Sequence, residues 1–133
     1  MMRILIVEDN HVNQVVLVSM LKKLDAYTNK VQIHTADHGA SALTLLEELQ
    51  VSDQAIDVIF MDCQMPIMNG FEATKKIRNS KALYANIPII AVTGNVTSDD
   101  EKKCFECGMN AFMNKPFKLE TIRELLHSLN ISF

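Results

Sequence analysis

The segment VIFMDCQMPIMNG, Val58 to Gly70, constrains this chain more than any other. Four apolar residues, Val58, Ile59, Phe60 and Met61, run uninterrupted into a carboxylate, Asp62, and a Pro and an Asn-Gly pair follow closely. An apolar run bounded by turn signals is the pattern of a strand buried on both faces, as found inside parallel sheets. Asp62 then falls at the carboxyl end of that strand, where open α/β sheets place their ligands. An unpaired carboxylate is costly to bury, so Asp62 needs a partner or a chemical task.

The rest of the chain supplies both a frame and the partners. Ile4 to Val7 is a second apolar run that ends in acid, Glu8 and Asp9. Val31 to Ala36 and Ile87 to Val92 read as further strands, the latter ended by Thr93-Gly94-Asn95, and residues 111–117 hold a short last one. Between them, apolar residues recur at helical spacing: Leu17, Met20, Leu21 and Leu24; Ala42, Leu45, Leu46 and Leu49; Ile122, Leu125, Leu126 and Leu129. Residues 25–30 break the first helix, Phe71 to Arg78 forms a short one, and a polar connection runs from there to Pro88. Ser98 and Glu101 have capping-box spacing, Asp99 and Asp100 suit the positive end of a helix, and Gly108 suits its end. Five strands alternating with five helices imply a parallel sheet covered on both faces. Right-handed crossovers leave few windings, and the flavodoxin-like doubly wound (βα)5 order 2-1-3-4-5 is the expected one. Residues 1–133 then form a single domain.

Composition narrows the function. The formal charge of −3 argues against a nucleic-acid surface. No apolar stretch reaches the length of a membrane span, and the first ten residues lack the regions of a signal peptide, so a cytoplasmic domain without membrane contact is expected. Cys63, Cys104 and Cys107 read as reduced thiols. Cys104 and Cys107 form a C-x-x-C, but no second such pair exists to complete a zinc site, and plain helix residues are the simpler reading.

In the expected strand order Glu8, Asp9, Asp62, Thr93 and Lys115 converge at one sheet edge. Three clustered acids repel, which raises a pKa or demands a cation. Lys115 offsets one charge, and a hard divalent ion such as Mg2+ would offset more, since it favours oxygen ligands. An aspartate beside a metal, a hydroxyl and an ammonium also suits phosphoryl chemistry, because Asp can be a covalent nucleophile and cationic groups stabilise the transferring charge.

The acidic pair Glu8-Asp9, the MDCQMPIMNG segment, Thr93-Gly94 and Lys115-Pro116, in this order at strand ends, resemble a receiver domain of the two-component response regulators over essentially the whole chain. VEDNHVNQ and MDCQMPIMNG are similar in particular to receivers of hybrid sensor histidine kinases. The resemblance implies that Asp62 is the phosphoacceptor. Glu8, Asp9, Asp62 and the backbone carbonyl of Gln64 would hold Mg2+, with Mn2+ as a substitute. Thr93 and Lys115 would grip the phosphoryl group, and Phe112 matches the switch aromatic that turns inward as Thr93 moves. The Lys115–Pro116 peptide is expected to be cis, and Gln64 and Asn95 match positions that influence the lifetime of the phosphoryl group. The implied donor is a sensor histidine kinase or a histidine-containing phosphotransfer protein, and the domain is expected as a monomer or weak dimer. Gly94 stands where the family often has Ala, and Phe112 lacks the hydroxyl that many members carry.

Rival readings differ in class. A receiver-like adaptor would bind partners without being phosphorylated, but the acid, hydroxyl and ammonium set is intact. A phosphatase with an Asp nucleophile would show D-x-D after its first strand, where this chain has Glu8-Asp9-Asn10. A flavin domain would need a hydroxyl- and Gly-rich loop there. Alone, Thr93 reads as a turn hydroxyl, Lys115 as a surface amine, Phe112 and the Met residues near Asp62 as packing, and the four His as surface or helix-end residues.

Overall fold

In the computed structural model, residues 2–24, 31–65, 67–94 and 98–131 are described. The five strands are β1 (Met2–Val7), β2 (Val31–Ala36), β3 (Val58–Asp62), β4 (Ile89–Thr93) and β5 (Ala111–Asn114). The helices are α1 (His11–Leu24), α2 (Gly39–Val51), α3 (Gly70–Asn79), α4 (Ser98–Cys107) and α5 (Leu119–Ser128). All strand pairs are parallel and the order is β2-β1-β3-β4-β5, as expected from the alternation.

Burial on both faces explains why the strands are apolar throughout. Leu5, Val7, Ile59, Met61, Ile89 and Ala91 pack with the inward residues of α2, α3 and α4. Their neighbours Ile4, Ile6, Val58, Phe60, Ile90 and Val92 pack on the opposite side with Leu17 and Leu21 of α1 and Ile122 and Leu126 of α5. The alternation along each strand has the period of two that a pleat imposes. Each helical stripe read from the sequence faces one of these layers, with Met20, Leu24, Leu45, Leu125 and Leu129 at the margins.

Three local features depart from the sequence reading or extend it. The connection after α3 contains a 3-10 turn, Leu83–Asn86, rather than plain coil. It is held from α2, by Gln50 Oε1 accepting from the Leu83 amide at 3.1 Å and Glu47 Oε2 accepting from the Tyr84 hydroxyl at 3.1 Å. His38 caps α2 through a reciprocal pair with Ser41, a use of histidine that its isolated sequence position does not announce. Arg78, at the end of α3, donates to the carbonyls of Gly108 and Ala85 and to Asn110 Oδ1, each at 2.9 Å. The same Asn110 oxygen accepts from the Ile89 amide at 2.9 Å, so one guanidinium ties the amino ends of β4 and β5 to α3 and the end of α4. Gly108 has φ +107°, a backbone state that its missing Cβ makes accessible.

Candidate functional site

Parallel strands in register bring their carboxyl ends to one edge. Val7 pairs with Met61, Asp62 with Val92 and Thr93 with Asn114, so the residues that follow β1 and β5 and those that end β3 and β4 meet there. Glu8, Asp62 and Thr93 are buried, at 3%, 3% and 4% exposure, which makes them unusual polar members of a hydrophobic core. Asp9 lies beside them at the surface, and one carboxylate oxygen from each of Glu8, Asp9 and Asp62 lies within 4.8 Å of the other two.

Lys115 follows β5 and reaches across this cluster. Its Nζ is 2.8 Å from Glu8 Oε1 and 3.6 Å from Asp62 Oδ2. The amide of Lys115 donates to the Thr93 carbonyl at 2.9 Å, which fixes the start of the Lys115 side chain against β4. The Lys115–Pro116 peptide is cis, in agreement with the sequence expectation. Asp62 Oδ1 accepts from the Gln64 amide at 3.1 Å, and the Asn10 amide donates to Glu8 Oε2 at 3.4 Å.

One ammonium does not neutralise two buried carboxylates. Burial raises the Asp62 carboxyl, and its hydrogen bond with Glu8 raises it further, to about 8. Burial also opposes ionisation of Glu8, but its hydrogen bond with Asp62 and then the Lys115 ammonium outweigh this and hold it low, at about 2. Without a further cation, Asp62 thus carries the proton of the pair and Glu8 the charge. Lys115 itself is raised: burial works against its charge, while Glu8 and Asp62 together outweigh that penalty. This excess of negative charge, presented on oxygen atoms only, suits a hard divalent cation.

The chain around Asp62 is shaped for close approach. A Cβ on Gly70 would collide with the Asp62 carbonyl oxygen, and the Gly70 amide donates to the Cys63 carbonyl at 3.2 Å. Asn69 caps α3 by accepting from the Glu72 amide at 2.9 Å. The loop therefore turns back on the strand end, and only glycine fits where it does so.

Of the residues singled out in the sequence, Glu8, Asp9, Asp62, Thr93 and Lys115 are brought together, and Gln64 contacts Asp62 through its backbone. Phe112 lies on β5, half-buried, with its ring edge-to-face against Phe105 of α4 at 6.2 Å and 77°. Pro116 follows Lys115, whereas Asn95 lies outside the described residues. Cys63, Cys104 and Cys107 are buried free thiols, all raised by burial, and the latter two lie in α4 as expected. Sequence reasoning missed Gln14, buried beneath Glu8. Its spacing to Leu17 and Leu21, three and seven residues on, was the available signal: a polar residue within an apolar stripe.

The sequence model of the family described as Response regulator receiver domain matches residues 4–127. The chain is 37% identical over 126 residues, 93% of its length, to the hybrid signal transduction histidine kinase L of Dictyostelium discoideum. It spans only 5% to 13% of the length of curated relatives of this kind. Among solved structures it resembles the receiver domain of a sensor histidine kinase from Pseudomonas aeruginosa, which has a magnesium ion coordinated in its active site cleft (35% identity, TM-score 0.80, 96% of this chain and 95% of that one). It also resembles the receiver domain of an Arabidopsis thaliana histidine kinase complexed with Mg2+ and BeF3− (33% identity, TM-score 0.76, 95% of this chain and 90% of that one).

Proposed function

The chain belongs to the response regulator receiver domain family of two-component signalling, and from that premise we propose that Asp62 is its phosphoacceptor. The observation that carries this reading is the placement of Lys115 Nζ, 2.8 Å from Glu8 and 3.6 Å from Asp62, within a cluster of three carboxylates. Nothing in a hydrophobic core calls for that much charge, and an acceptor of phosphoryl groups does.

Glu8, Asp9, Asp62 and the Gln64 carbonyl would hold Mg2+, or Mn2+ in its place. The metal supplies neutralisation of charge on the transferring group. An Asp62 carboxylate oxygen attacks the phosphorus of a phosphohistidine whose other ring nitrogen carries a proton, the N–P bond breaks as the O–P bond forms, and neutral imidazole leaves. Lys115 then exchanges its contact with Asp62 for a phosphoryl oxygen, and the Thr93 hydroxyl donates to another. Hydrolysis of the acyl phosphate by water resets the domain, and Gln64 and Asn95 influence how long the phosphoryl group survives.

The added charge at the end of β3 biases the segment after Thr93, the α4 helix and the Phe112 ring on β5 between two arrangements. The donor is a sensor histidine kinase or a histidine-containing phosphotransfer protein. Val12, Val15 and Val16, exposed on α1 just after the acidic pair, offer that donor an apolar landing. Residues 1–133 serve as one receiver unit on the cytoplasmic side, with no nucleic-acid contact, as a monomer or weak dimer. No described helix is long and apolar enough to cross a membrane.

Intact-mass analysis after incubation with a small acyl-phosphate donor tests the reading. A gain of one phosphoryl group that requires Mg2+ and disappears in Asp62→Asn is expected. Unmodified wild type with Mg2+ demonstrably bound would refute it and favour an adaptor.

A further inference from the structure

We infer that Gln14 is a positioning residue for the acidic cluster, clamping the peptide between Glu8 and Asp9 in the orientation that cation binding requires. The inference rests on the reading of Glu8, Asp9 and Asp62 as the metal cradle.

Gln14 lies one turn into α1 on the face that carries Leu17 and Leu21, and only 7% of it is exposed. A side-chain amide in such a place is costly unless its hydrogens are used. Both are: Nε2 donates to the Glu8 carbonyl at 2.6 Å and to Asp37 Oδ1 at 2.9 Å, with the Ala36 carbonyl a longer contact at 3.4 Å. The Glu8 amide donates in turn to the Ala36 carbonyl at 3.0 Å. Glu8 is thereby held at both its N–H and its C=O, and the two chain ends that Gln14 joins are those leaving β1 and β2.

The consequence falls on the next residue. Fixing the Glu8 carbonyl fixes the plane of the Glu8–Asp9 peptide and so the direction in which the Asp9 chain leaves it. Asp9 is the exposed member of the cluster and has no core packing of its own to hold it. Gln14 approaches no cation and no reacting atom; it acts through Glu8 and Asp9.

Removal of an outer-shell partner of a metal ligand typically weakens the ion tenfold to a hundredfold, and about tenfold is expected here. Calorimetric titration of the whole chain with Mg2+ alone, well below the unfolding temperature, measures it. Gln14→Met keeps the length and loses the donor; Gln14→Glu keeps the shape and turns an acceptor toward the Glu8 carbonyl and Asp37. The dissociation constant should rise about tenfold for Gln14→Met and further for Gln14→Glu. Leu17→Ala supplies the structural control: it should lower the melting temperature more than Gln14→Met does and leave the Mg2+ constant unchanged. A Gln14→Met constant within about twofold of wild type, or an equal shift in Leu17→Ala, overturns the inference while leaving the metal reading intact. Absence of Mg2+ binding in wild type overturns both.

Discussion

Replacing Asp62 by asparagine should stabilise the metal-free protein by an amount that grows as pH rises from about 4 to about 8. Two unit charges 4.8 Å apart, the limit for this cluster, repel by roughly 3 kcal/mol at an effective dielectric of about 20. Lys115 offsets part of this, but it sits nearer Glu8 than Asp62 and is 24% exposed. The Asp62 carboxyl is raised from 3.8 to about 8, so between those limits the folded state holds a proton that the unfolded chain has released. Stability from this group is complete below the unfolded value and is lost as pH rises through the folded one. Glu8, lowered to about 2, contributes its pH dependence in acid, outside this window. His34, lowered by burial and then by Arg3, is common to both proteins and cancels in their difference. The amide oxygen of the variant's new side chain can still accept from the Gln64 amide, so the contact at 3.1 Å survives. Allowing for relaxation around the buried charge, the variant should match wild type near pH 4 and exceed it by about 3 kcal/mol at pH 8 and above. That is roughly 10 °C in melting temperature for a chain of this size. Urea unfolding with EDTA present, repeated across that range, measures it. Parallel pH profiles for the two proteins, or a variant advantage that shrinks as pH rises, would refute the charge assignment.

Three further outcomes test the frame around the site. Gly70→Ala drives a Cβ into the Asp62 carbonyl and should cost about 3 kcal/mol or more, seen as a lower urea midpoint, because backbone rather than a flexible side chain must move. Ile67, 79% exposed with φ +70°, holds a β-branched residue in the left-handed region; Ile67→Asn should raise stability by about 1 kcal/mol in thermal unfolding. Arg78→Lys keeps the charge but cannot reach Gly108, Ala85 and Asn110 at once, and a loss of about 2 kcal/mol in denaturant unfolding is expected.

What the sequence disclosed and what it withheld divide along a physical line. Strands buried on two faces have no freedom in composition, so Ile4 to Val7, Val58 to Met61 and Ile89 to Val92 are plain from their residues alone. The site followed, because acids that end such strands have few reasons to be there. Gln14 was not legible in the same way: its burial comes from the β2–α2 connection lying over α1, a contact between distant segments. The 3-10 turn at Leu83–Asn86 likewise depends on Glu47 and Gln50, more than thirty residues earlier. His38 needed an extended backbone before its ring could cap α2. Local chemistry was readable where local chemistry decided the outcome, and tertiary partners decided the rest.

The Arg78 staple gives the β4–α4–β5 part of the fold a fulcrum. Its hydrogen bonds gather the starts of β4 and β5 and the exit of α4 into one fixed point, on the side of the sheet away from Asp62. The opening half of α4 lies toward Gln64, with which Asp100 and Lys103 share a cleft. A ten-residue helix is about 15 Å long, so a tilt of about 10° around Gly108 would carry Ser98 by roughly 2–3 Å while Cys107 hardly moved. Any such tilt would be graded along the helix, greatest at the end that lies toward Gln64. A partner that senses the domain's state through α4 would find most of the travel at the Ser98 end and almost none at Gly108.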